Sequence, residues 1–85
     1  MPSRRNPYPA WILERRVALG QQIAEQRRLA GLSQDGLADR AGVDRRSIQR
    51  YENAVRDPRV ADLLLIADAL GIHVTDLLRD QAPPR

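Results

Sequence analysis

The sequence predicts a small, single-domain, all-α fold, and three observations lead there. Apolar residues recur at helical spacing in successive stretches, N-cap residues and glycines punctuate those stretches, and no segment sustains the two-residue alternation of a half-buried strand. At 85 residues, 42% hydrophobic and 29% charged, the chain has enough apolar content for one core. It is too short to build a deep substrate cleft beside that core.

The elements follow in order. Residues 1–9 hold Pro2, Pro7 and Pro9 with Arg4, Arg5 and Asn6, and read as an extended arm. From Pro9, suited to a first helical turn, Trp11, Ile12, Val17, Leu19, Ile23 and Ala24 repeat at helical spacing. Gly20 interrupts them at a cost of about 1 kcal/mol relative to alanine, which predicts either two short helices or one helix weakly jointed there. Gly31 is placed as the residue that ends this stretch. Ser33 then caps a short helix carrying Leu37, Ala38 and Ala41, and Gly42 closes it. Asp44 caps the next, with Ile48 and Tyr51 inward and Arg45, Arg46, Gln49 and Arg50 outward. After a loop from Asn53, Asp57-Pro58 reads as an N-cap followed by proline. The helix it opens has Val60, Leu63, Ile66, Ala67 and Leu70 at core spacing, and Gly71 ends it. A last short helix holds Val74, Leu77 and Leu78. His73 lies just before it, and we attach no function to that residue.

Composition excludes several classes of function. The chain has no cysteine, which removes disulfides, thiolate metal sites and thiol nucleophiles and fits a reducing cytoplasm, where we place the protein. A single histidine builds no metal site, and neither a nucleophile–base pair nor a phosphate loop is present, so we expect no enzyme and no cofactor. No apolar run is long enough to span a bilayer, and no apolar segment follows Arg4-Arg5 as a secretory signal requires. All fourteen basic residues are arginine and the net charge is +3. Residues 1–59 are net basic and residues 60–85 net acidic, a distribution that suits one face to a polyanion.

The informative spacing runs from Gln34 to Arg50. Where two helices cross steeply, the first must offer a small contact residue, and Ala38 is one. Four residues on, the tight turn needs backbone in the left-handed region, which Gly42 supplies. Six further, Ile48 plugs the space between the helices, flanked by Leu37, Val43 and Tyr51. This register is a helix-turn-helix.

Residues 19–78 resemble the phage repressor and Cro-type helix-turn-helix family, also known as the xenobiotic response element family. The matches are Leu19-Gly20, Ile23, Arg27, Gly31-Leu32-Ser33-Gln34, Leu37-Ala38, Gly42-Val43, Ser47-Ile48, Tyr51-Glu52-Asn53, Pro58, Leu63, Ile66-Ala67, Ala69-Leu70-Gly71 and Leu77-Leu78. The resemblance implies a five-helix, lambda-repressor-like DNA-binding domain over residues 19–80. Residues 1–18 are then an N-terminal arm with an extra helical turn, and residues 81–85 a frayed tail. Two residues depart from the pattern. Ala54 stands where a glycine usually follows the Glu-Asn pair, which puts Asn53 or Ala54 under strain, and Gly36 replaces a good helix former.

The same resemblance assigns roles. Arg45, Arg46, Gln49 and Arg50 are candidates for base contact, since arginine takes guanine and glutamine takes adenine by paired hydrogen bonds. Ser33 and Gln34 at a helix N-terminus, Ser47, Arg56 and Arg59 are candidates for phosphate contact. Arg27 and Glu52 form a structural ion pair. Leu65 falls at a position that faces solvent on its helix, and is either simply exposed, covered by the N-terminal extension with Trp11 and Ile12, or within a homodimer interface of Leu64, Leu65, Leu77 and Leu78. Arg4 and Arg5 reach around the duplex. The expected protein is a repressor bound as a homodimer to double-stranded DNA. The alternative is an antitoxin that binds a toxin partner and its own promoter.

Overall fold

A computed structural model describes residues 8–79. Over them the chain forms α1 (Ala10–Leu29), α2 (Gln34–Ala41), α3 (Arg45–Glu52), α4 (Val60–Leu70) and α5 (Val74–Leu78), with no strand among the described residues. Arg4, Arg5 and the tail 81–85 lie outside them.

The first helix is one piece. It runs 20 residues without a break, and Pro9 precedes it as the cap, one position earlier than a first-turn proline. The Pro9 carbonyl accepts from the Ile12 amide at 2.9 Å. Gly20, read from the sequence as a weak joint, is instead a point of contact. A methyl group there would lie 2.5 Å from the Tyr51 carbonyl oxygen and 2.7 Å from that of Glu52. The missing side chain is what lets the end of α3 rest on the backbone of α1.

Caps and turns fall where local chemistry puts them. The Ser33 hydroxyl accepts from the Gly36 amide at 2.9 Å, and Gly42 ends α2 with φ of 72° in the left-handed region. Asp44 then accepts from the Ser47 amide at 2.8 Å to start α3. Between the two helices, Ala38 sits buried at the crossing and Ile48 is wholly enclosed. Ile23, Leu37, Ile48, Ile66 and Leu77 are the largest fully buried side chains of one continuous core, which Ala38, Ala41, Val43, Tyr51, Leu63 and Ala67 complete. Helix α1 packs on α3 and α5, and α4 packs on α2 and α5.

The start of α4 differs from expectation. Its cap position is Arg59, and the Asp57 carboxylate instead pairs with Arg16 on α1, 3.1 Å away. With the helix starting later, Val60 is its first residue and points outward, 72% exposed, rather than into the core. Leu65 is exposed as expected, and the described part of the N-terminal extension leaves it so. Ile12 and Leu19 of α1 instead line a cleft with Pro58, Leu77 and Leu78. Leu77 is buried at 1% exposure, so it belongs to the core and not to a surface shared with Leu64, Leu65 and Leu78.

Candidate nucleic-acid interface

Helix α3 has two faces with separate duties. Ser47, Ile48 and Tyr51 are buried, while Arg45, Arg46, Gln49 and Arg50 are exposed. The inward face is anchored at both ends. At the start, Asp44 takes the Ser47 amide on one carboxylate oxygen and the Ser47 hydroxyl, at 3.0 Å, on the other. These bonds, the backbone one foremost, hold the Asp44 carboxyl below the usual carboxylate range. Ser47 is 6% exposed with its hydroxyl engaged in this cap, which removes it from the surface the four outward residues form. Further along, the Tyr51 hydroxyl donates to Asp62 of α4. Burial chiefly, and Asp62 with it, push the phenol up from its ordinary range, while Ser47 and Arg59 pull the other way.

The far end of α3 is held by charge. Arg27 donates from Nε to one oxygen of Glu52 at 2.7 Å and from Nη2 to the other at 3.0 Å. Its Nη1 donates to the Leu32 carbonyl at 2.9 Å. The side chains are 13% and 5% exposed, so this two-point pair lies largely out of water and is the expected tie between α1 and α3. The bond to Glu52 raises the Arg27 pKa, against the opposing effect of burial. Gln34, at the start of α2, donates from Nε2 to the same Glu52 oxygen at 3.0 Å. One carboxylate of α3 therefore orients a residue on each of α1 and α2.

Three contacts here have no local signal in the sequence. Arg45 pairs with Asp35 of α2 at 3.0 Å, Gln34 meets Glu52, and Tyr51 meets Asp62. Past α3, Arg56 and Arg59 are exposed on the loop leading to α4. Ala54 in that loop carries φ of +60°, so the strain expected at Asn53 or Ala54 falls on Ala54. No His, Asp and Glu grouping among the described residues could hold a metal ion. No helix among them is long and apolar enough to cross a membrane.

Two short helices locked at a glycine turn, with the second presenting an arginine-rich face, define a helix-turn-helix domain of the DNA-binding transcription regulators. The chain belongs to the helix-turn-helix (HTH_3) family, whose model matches residues 23–77. Among solved structures it is similar to the restriction-modification controller protein C.AhdI from Aeromonas hydrophila. That likeness has 36% identity and a TM-score of 0.70, and covers 72% of this chain and 92% of that one. It is also similar to an HTH_3-family transcriptional regulator from Vibrio cholerae, with 25% identity and a TM-score of 0.73, over 76% of this chain and 36% of that one. The hypothetical transcription factor NHTF from Neisseria shares the fold, at 23% identity and a TM-score of 0.76, over 95% of this chain and 88% of that chain. No curated protein matches the chain significantly.

Proposed function

We propose that the protein is a sequence-specific repressor of transcription that places α3 in the major groove of a pseudo-palindromic operator. The observation that carries this is the division of α3. Its buried face is anchored by Asp44, Ile48, Tyr51 and Glu52, which leaves Arg45, Arg46, Gln49 and Arg50 free of any packing duty. Arg45, Arg46 and Gln49 read base edges, each paired contact contributing about 1–3 kcal/mol of discrimination. Arg50 lies one turn along and reaches bases or backbone. Ser33 and Gln34 present the N-terminus of α2 to a phosphate. Glu52 holds the Gln34 amide in advance, and Arg56 and Arg59 add phosphate contacts from the loop. Ser47 serves the cap instead. The exposed Leu64, Leu65 and Leu78 support pairing of two copies, with half-sites about 10–10.5 base pairs apart.

Selection of bound duplexes from a random library at about 50 mM salt, repeated with Arg45→Ala, tests the proposal. A palindromic consensus is expected, with one base preference lost in the variant. Failure to enrich any sequence would overturn it. The likeness that spans 92% of a restriction-modification controller favours a narrower second reading, in which the operator lies ahead of restriction-modification genes. The position of the selected consensus relative to such genes decides it.

A further inference from the structure

We propose that Asp35, on the opening turn of α2, is a specificity-determining residue that positions the Arg45 guanidinium for base contact and penalises its transfer to the phosphate backbone. This rests on the assignment of α3 to the major groove.

Arg45 is the first residue of α3 and Asp35 the second of α2. The Gly42 turn folds them together, with Arg45 Nε 3.0 Å from Asp35 Oδ1. Both side chains are more than half exposed, at 56% and 74%. An ion pair so open to water is screened and adds little to folding, so its main consequence is for what binds there. An acid on the first turn also suits the helix dipole, but that accounts for neither the choice of Arg45 as partner nor the position of the carboxylate. Asp35 directly follows Ser33 and Gln34, the residues that face the DNA backbone, where a carboxylate repels every duplex alike.

The pairing with Arg45 makes that repulsion selective. An unrestrained arginine has many rotamers and reaches a phosphate as readily as a base edge. Approached through Nε, the guanidinium keeps its two terminal nitrogens for guanine O6 and N7. On a duplex without guanine at that position, Arg45 gains a contact only by leaving Asp35 for a phosphate. The carboxylate then stands beside the backbone without compensation. Asp35 therefore weakens binding to all DNA, and weakens binding to the wrong DNA more.

The test measures the affinity of the full chain for its selected operator and for a scrambled duplex of equal length, across a salt series. Asp35→Asn is expected to bind the scrambled duplex roughly threefold or more tightly, with a log–log salt slope steeper by about one. Its affinity for the operator changes less, so the specificity ratio falls. Asp35→Glu keeps the ratio. In an Arg45→Ala background, Asp35→Asn tightens both duplexes equally and leaves the ratio unmoved. An unchanged ratio in Asp35→Asn overturns the proposal. So does a ratio lost through weaker operator binding with no gain on the scrambled duplex, or binding lost on both along with a fall in Tm. A wild-type chain that prefers no duplex overturns the groove assignment itself, and this proposal with it. A wild type that discriminates while Asp35→Asn discriminates equally overturns this proposal alone.

Discussion

Replacing Gly20 by alanine sets two effects of opposite sign against each other. Helix propensity alone predicts a gain of about 1 kcal/mol, because alanine is the better residue in a helix interior. Packing predicts the reverse. The new methyl carbon would stand 2.5 Å from the Tyr51 carbonyl oxygen and 2.7 Å from that of Glu52. Both neighbours are backbone atoms at the end of α3, so no rotamer change moves them aside. Restoring an ordinary contact of 3.4 Å requires α1 and α3 to part, and that separation also strains the 2.7 Å Arg27–Glu52 contact. Overpacking of this kind costs about 1–3 kcal/mol, and a weakened hydrogen bond about 1 kcal/mol more. Set against the propensity gain, the net loss is about 1–3 kcal/mol. In a domain of this size each kcal/mol moves Tm by about 4–8 °C, so thermal melting followed by circular dichroism is expected to fall by roughly 5–20 °C. Gly36→Ala serves as the control, since its methyl would meet only side-chain atoms, the nearest being Ser33 Oγ at 3.3 Å. With only the propensity gain left to act, it is expected to hold or raise Tm. A Gly20→Ala protein that melts at or above the wild-type temperature would refute the close approach of the two helices.

Three further substitutions have expected outcomes. Ala54→Gly relieves a left-handed residue that costs about 1–2 kcal/mol. Glycine's added unfolded-state freedom returns about 0.4–1 kcal/mol of that, so Tm rises by a few degrees, and a lower Tm contradicts the strain at Ala54. Arg27→Ala leaves the nearly buried Glu52 carboxylate without a counter-charge, held only by Gln34, and costs about 3 kcal/mol. Arg28→Ala removes only an exposed 3.8 Å pair with Glu25 and costs under about 0.5 kcal/mol, so equal melting temperatures would be incompatible with the tie. Asp44 has a folded pKa lowered by its cap bonds. Its contribution is therefore complete above the ordinary carboxylate value of about 4 and fades as pH falls through the lower folded value. Asp44→Asn, a neutral cap, is expected to lose less Tm over that acid range, and parallel Tm–pH curves would show that the charge plays no part.

The parts of this fold that show in the sequence are those made by neighbours along the chain. Ser33 and Asp44 accept from amides three residues on, Gly42 donates to a carbonyl four residues back, and the spacing of Ala38, Gly42 and Ile48 follows from helix geometry, so the two-helix unit and its outward arginines are legible directly. What is not legible depends on distant partners. Asp57 looks like a cap, but its carboxylate meets Arg16, 41 residues away, and α4 is capped at Arg59. Gly20 looks like a flaw until the carbonyls of α3 arrive over it. Leu77 and Leu78 are alike in the sequence, and only the packing of α5 decides that the first is core and the second surface. The links from Arg45 to Asp35 and from Gln34 to Glu52 belong to the same class, since each depends on how α2 meets α3.

Glu52 has a consequence for how this protein changes over generations. It secures Arg27 and steadies Gln34 through the same oxygen, so under the proposed groove reading any replacement there alters both the stability of the folded chain and its hold on the sugar–phosphate rail. Mutations at this carboxylate are thereby pleiotropic, and selection acting on one property drags the other along. Arg46, Gln49 and Arg50 are exposed and carry no such double duty, which under the same reading leaves them as the sites where a descendant gene acquires a new target while its product keeps its architecture.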